Sequence, residues 1–179
     1  MKVRNIMIIA VIAGIWMSLP VRAEESPRYL KAQQFLSHLH HTNQMEIKMG
    51  EMAKQKGNSE AVRVYGSRLI QDRQTADSVV IALAQKYGFT LVAPSTSGFL
   101  HRLVSAREKN TMTDLAKKTG TEFDKAFAEA IVYQHKLDSN QLESAEYSFK
   151  EGDIRDLVTR LIPMQMQHQE WAAHIASMY

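Results

Sequence analysis

Four apolar stripes recur at helical spacing along this chain, and the gaps between them constrain its fold more than any other feature. The first stripe is Leu36, Leu39, Asn43, Glu46, Gly50 and Ala53, ending at Gly57. The second, after Asn58-Ser59, is Val62, Tyr65, Leu69, Asp72, Ala76, Val80, Leu83 and Tyr87, stopped by Gly88. The third is Phe123, Phe127, Ile131, Gln134, Asp138, Leu142, Ala145 and Phe149. Gly152-Asp153 separates it from the fourth, which is Ile154, Leu157, Leu161, Met164 or Gln165, His168, Ala172 and Ile175. Steps of three and four put each set on one face of a helix. Helices of roughly 25–30 residues, far above the average of about 11, each with one apolar seam, are expected to pack as a bundle.

The connections refine this. Two or three residues join the first stripe to the second and the third to the fourth, so each pair must be antiparallel neighbours. Roughly 30 residues separate the second from the third, far beyond an ordinary loop. That gap begins with "FTLVAPSTSG" (89–98), which has no helical period, and continues as a weaker helical stretch from about Phe99 to Lys118 with a break expected near Asn110-Thr111. The expectation is an all-α fold: a ferritin-like four-helix bundle with a long crossover, containing short helical segments, between helices two and three. Ser26-Pro27 reads as a helix start, and Thr121 with Asp124 as a capping pair opening the third long helix.

The first 23 residues belong to a different category. Lys2 and Arg4, an apolar run from Ile6 to Leu19, and a small residue at Ala23 have the order of a cleaved secretory signal peptide. The run is short of the roughly 20 apolar residues a membrane span needs. The expected organisation is a signal at residues 1–23, a single helical-bundle domain at 24–179, a periplasmic location, and no membrane span after cleavage. The 22 basic residues include Lys2, Arg4 and Arg22, whereas all 19 acids lie beyond residue 23, so the remainder of the chain carries equal numbers of each sign. Nucleic acid as a partner is not expected from such a balance. With no cysteine in the chain, disulfides, a lipoprotein acylation site and thiol catalysis are excluded.

Each stripe carries an ionisable residue on or beside its seam: Glu46, Asp72, His135 with Asp138, and His168. Ferritin-like di-iron sites take a Glu from each of two helices and Glu-x-x-His from each of the other two. Here Gln165 stands three before His168 and Val132 three before His135, so half of that ligand set is missing. Three readings follow. The five residues form a buried hydrogen-bond network, because a polar group left unpaired in a core costs about 1–3 kcal/mol. Alternatively Glu46, His135 and His168 are what remains of a degenerate di-iron site, with Met164 a candidate ligand only in the copper reading. Copper is the third, since thioether and imidazole suit cuprous ion and His38, His41, Met45, Met49 and Met52 share a face of helix one. In "LIPMQMQH", Met164 and His168 share a face whereas Met166 points nearly opposite. Pro163 is expected to kink helix four and help aim His168 inward, toward Glu46 or Asp72. Arg73 reads equally as a partner for a carboxylate and as a solvated charge. No phosphate-binding loop or nucleophile elbow is present.

These residues also carry a resemblance. "FLSHLHHTNQMEIKMGEMA", "RLIQDR", "GTEFDKAF", "YQHKLDSNQLE" and "LIPMQMQH" resemble the exported bacterial ferritin-like proteins grouped as domain of unknown function 4142. The resemblance spans about residues 35–175 and implies a fold and a location rather than an activity. That family usually shows Asp-His where this chain has Asp72-Arg73. The function expected is therefore that of an exported, non-catalytic binding or envelope- and stress-related protein, with a periplasmic metal-binding module as the alternative.

Overall fold

The computed structural model describes residues 27–93 and 99–179, with 99–102 described by backbone alone. The expected signal segment, the Ser26 cap and the Pro94–Gly98 part of the crossover lie outside the described residues. The described residues form five helices: α1 (Pro27–Lys56), α2 (Glu60–Tyr87), α3 (Phe99–Lys117), α4 (Gly120–Ser148) and α5 (Asp153–Ala176). No strand occurs among the described residues. The chain is all-α.

The four long helices pack as two hairpins. α1 lies along α2 and α4 along α5, as their short connections require, and the hairpins meet where α2 touches α5 and α1 touches α4. α3 rests on α1 and α4. It runs unbroken from Phe99 to Lys117, so the break expected at Asn110-Thr111 does not occur. Neither residue is a helix breaker on the scale of Pro or Gly, and contact with α1 and α4 overrides their modest propensity.

Two apolar clusters fill the interior. One holds Leu36, Leu39, Val80, Leu142, Leu157 and Leu161; the other holds Met49, Leu69, Phe123, Phe127, Ile131 and Ile175. Along every long helix the two sets flank the same short stretch, at Glu46, Arg73, His135 and Gln165. A polar layer therefore separates two dry halves of one core.

The helix ends are set locally. Ser59 caps α2, its hydroxyl accepting the Val62 N–H, and Gly88 ends α2 at φ 69°, a conformation suited to a residue without Cβ. The start of α4 differs from the sequence expectation. Gly120 opens the helix, the cap residue Thr119 makes no side-chain bond, and Asp124 does not cap its own helix. Its buried carboxylate instead accepts the backbone N–H groups of Asn58 (2.8 Å) and Ser59 (2.7 Å) at the start of α2, together with the hydroxyl of Tyr179 (2.8 Å). The α2 N-terminus offers unpaired donors and a positive dipole end, and Asp124 reaches them from another hairpin.

The α1–α2 contact depends on two glycines. A Cβ on Gly66 would stand 2.7 Å from the Gly50 carbonyl oxygen and 2.7 Å from the Ala53 Cβ, and one on Gly50 would stand 2.8 Å from the Gly66 carbonyl oxygen. Backbone oxygen cannot move aside as a flexible side chain can, so Gly66→Ala must push the helices apart. Overpacking of this kind costs about 1–3 kcal/mol, only partly offset by the roughly 0.5–1 kcal/mol gained when alanine replaces glycine inside a helix. Thermal denaturation should show a lower melting temperature for Gly66→Ala; an unchanged or raised one would contradict this crossing geometry.

Candidate functional site

Glu46 lies at the middle of the polar layer with no exposed surface. Arg73 of α2, 4% exposed, brings its Nε to 2.5 Å from Glu46 Oε2, as an ion pair rather than a directed hydrogen bond. The guanidinium also donates through Nη2 to Gln165 Oε1 (2.5 Å), and the Gln165 amide donates to the His135 carbonyl oxygen (3.3 Å). His135 Nδ1 stands 3.3 Å from Glu46 Oε1. Asp138, one turn along α4, faces the same carboxylate and accepts from Gln134 (3.1 Å). Each position follows from helical periodicity, because His135 and Asp138 are three apart and share a face of α4.

Beside this set, His168 of α5 bonds through Nε2 to Asp72 Oδ2 at 2.8 Å. Asp72 sits at the edge of the bundle and is also paired with Arg68 (2.7 Å) on its own helix. The His135 and His168 rings stack with centroids 5.7 Å apart and planes 19° apart. The Tyr65 hydroxyl donates to the His168 carbonyl oxygen (3.1 Å). α5 continues through Pro163, whose missing N–H cannot serve the Thr159 carbonyl.

The sequence-derived candidates thus fall into two linked groups, Glu46 with His135 and Asp138, and Asp72 with His168. Met164 joins neither; it packs against the Leu36 half of the core, and its neighbour Gln165 occupies the polar layer. Arg73 is not a solvated charge. A long cationic side chain next to a seam position gives no sequence signal of its direction, and the buried carboxylate opposite decides it. A further buried acid, Asp77, accepts from His40 Nδ1 (2.8 Å) and Gln44 Nε2 (2.7 Å) on α1. On the outer side of α1, His41 Nε2 meets Glu108 Oε2 of α3 at 3.0 Å.

Electrostatics of the layer follow from burial and charge. Burial alone would raise Glu46, but Arg73 and then His135 outweigh it and hold its carboxyl well below the usual range. Asp138 goes the other way: burial, then the negative charge of Glu46, push it well above its ordinary 3.8. Burial lowers His168 against the opposing pull of Asp72. The layer therefore carries a Glu46–Arg73 pair favouring the charged carboxylate, an Asp138 biased toward its protonated form, and a His168 biased toward neutrality.

The two acids have opposite linkage signs. Glu46, lowered on folding, contributes stability that is complete above its unfolded value of 4.5 and is lost on acidification below it. Asp138, raised on folding, contributes stability below 3.8 that is lost as pH climbs toward its folded value. Asp138→Asn keeps the shape and a donor toward Glu46 but cannot ionise. The variant should show a smaller loss of stability than wild type between mildly acidic and mildly alkaline pH, measured by urea unfolding at each. Equal losses in the two proteins would remove Asp138 as the source.

As a metal site the layer is incomplete for two irons. Gln165 already bonds Arg73 and the His135 carbonyl, and Val132 offers no ligand atom. Glu46, His135 and Asp138 do present ligand atoms within 4.8 Å of one another, a set that fits a single divalent ion of zinc or ferrous type. Among them His135 Nε2 and Asp138 Oδ2 are buried without hydrogen-bond partners.

Comparison with known proteins agrees with the sequence resemblance. The model of the family described as Domain of unknown function (DUF4142) matches residues 19–175, and the chain belongs to that family. No curated protein matches in sequence. Among solved structures, a DUF305 fragment from Deinococcus radiodurans superposes with TM-score 0.73 at 11% identity, covering 86% of this chain and 98% of that one. The protein CopM in its Cu(I)-bound form superposes with TM-score 0.65 at 17% identity, covering 80% of this chain and 93% of that one. At these identities the likeness is one of helical fold.

Proposed function

We propose that this DUF4142 member is an exported, non-catalytic binding protein built as a ferritin-like four-helix bundle, in which α3 lies within the crossover. One observation carries the reading: the buried guanidinium of Arg73 lies on Glu46, where a ferritin-like protein would place metal charge. An internal cation neutralises the carboxylate without a bound ion. Export rests on the segment from Lys2 to Ala23, and intact-mass measurement of periplasmic protein beginning at Glu24 tests it. No described helix is long and apolar enough to cross a membrane.

A second reading, a metal-binding module, draws on the unpartnered atoms of His135 and Asp138, and the Cu(I)-bound state of CopM supports metal binding in this architecture. The carboxylate-rich layer itself suits a divalent ion better than cuprous ion. Titration with zinc or ferrous ion separates the two readings. Under the first, wild type takes up no ion that Glu46→Gln abolishes, whereas Arg73→His, which replaces the internal cation by a fourth ligand, gains one equivalent that chelator removes. Stoichiometric uptake by wild type that disappears in Glu46→Gln would establish the second reading instead.

A further inference from the structure

Bordering the polar layer, which it reaches at Asp138, a groove of about 1020 Å³ is enclosed by α1, α3 and α4. Three thioethers line it, Met45 and Met49 from α1 and Met112 from α3. The two helices are joined at two points, where His41 meets Glu108 (3.0 Å) and where Lys56 Nζ donates to the Leu115 carbonyl oxygen (2.7 Å). Met45 is one turn beyond His41 and Met112 one turn beyond Glu108, so both fall between those two contacts along their helices. Met49 follows Met45 by a further turn on the same face. Met49 is 1% exposed and Met45 9%. The groove also presents the carboxylates of Glu108, Asp114 and Glu129. Arg107, which lines it too, places its guanidinium carbon 3.4 Å from the centre of the Tyr133 ring. Acid side chains lining a low-dielectric groove concentrate cations there.

We propose that Met45, Met49 and Met112 hold one cuprous ion in this groove. Thioethers are soft, neutral ligands that select Cu(I) over hard divalent ions, and three of them leave a net positive site for the nearby carboxylates to balance. Burial suits uncharged ligands, which pay little desolvation. Methionine also fills cores without binding anything; the distinguishing feature here is that two helices bring thioethers to a groove with acid side chains. The three thioethers are not members of the polar layer, and Glu46 and Arg73 do not line the groove, although Asp138 borders both.

The test is anaerobic Cu(I) titration of the full protein against a chromogenic Cu(I) chelator, combined with X-ray absorption at the copper edge. The chain contains no cysteine, so any sulfur neighbour of copper must be methionine. One equivalent with sulfur neighbours is expected. The combined Met45→Leu, Met49→Leu and Met112→Leu variant should bind at least about 100-fold more weakly, because leucine conserves volume but offers no ligand atom. If that variant fails to fold, Met112→Leu alone, at a half-buried position, should still weaken binding about tenfold, the loss of one of three ligands. Failure of wild type to compete for Cu(I), copper with only nitrogen or oxygen neighbours, or unchanged affinity in the methionine variants would overturn the proposal. Glu46→Gln should leave Cu(I) binding intact; its loss there would place the ion in the polar layer and overturn the groove site.

Discussion

Arg73→Met should be the most damaging single substitution in the polar layer, lowering stability by about 3–5 kcal/mol, the usual cost of stranding one member of a buried ion pair. Glu46 has no exposed surface, and Arg73 is its main source of compensating charge. Removing the guanidinium leaves a carboxylate that must either stay charged in a low-dielectric interior or take up a proton. Gln165 loses its donor in the same step. The double variant Glu46→Gln with Arg73→Met removes both charges and should recover much of the loss, since replacing an entire buried pair is often close to neutral. Arg68→Met is the internal control. Arg68 pairs with Asp72 on an exposed face, and such pairs are worth about 0–1 kcal/mol. Urea unfolding of the four proteins makes the comparison. If Arg73→Met costs no more than Arg68→Met, the ion pair does not neutralise Glu46, and the proposed role of Arg73 falls with it.

Asp124→Ala should cost about 2–4 kcal/mol, with hydrogen bonds to charged groups worth about 1.5–3 kcal/mol each and only partly additive. Its carboxylate gathers two backbone N–H groups of the α1–α2 turn and the hydroxyl of Tyr179 near the chain end. Water can satisfy some of these donors in the variant, which keeps the loss below the full sum. Asp124→Asn, which keeps one acceptor oxygen and loses the charge facing the α2 dipole, should fall between wild type and alanine. Hydrogen exchange gives the local readout: amides of Asn58 and Ser59 should lose protection in Asp124→Ala while those in the middle of α4 keep it. Equal loss of protection throughout α4 would instead mean that Asp124 holds its own helix.

Helix positions, the two hairpins and the separation of α2 from α4 could be read from the chain alone, because apolar periodicity and short glycine-containing joins are local properties. The same holds for the seam residues Glu46 and His168, whose spacing placed them on inward faces, and Gln165 and Val132 already argued against a two-iron site. The third stripe was read through Gln134, whereas the structure buries His135 and leaves Gln134 half-buried. Asp124 was legible as a helix-capping acid but was assigned to the wrong helix. A capping side chain is recognised by sequence distance from its own backbone, and nothing in sequence marks an amide on another hairpin.

Direction of long side chains and contacts between hairpins belong to the tertiary structure alone. Arg73 turns inward because Glu46 is buried across the α1–α2 interface, and a buried charge outweighs the entropy and hydration that would otherwise keep an arginine in solvent. Met112 lines the same groove as Met45 only because α3 is joined to α1 through Glu108 and Leu115, contacts that join residues about 60 positions apart. Periodicity along a helix reports which face is buried. It carries no information on which helix covers that face or at what register, and that pairing decides whether a buried carboxylate meets a guanidinium, a proton or a metal ion.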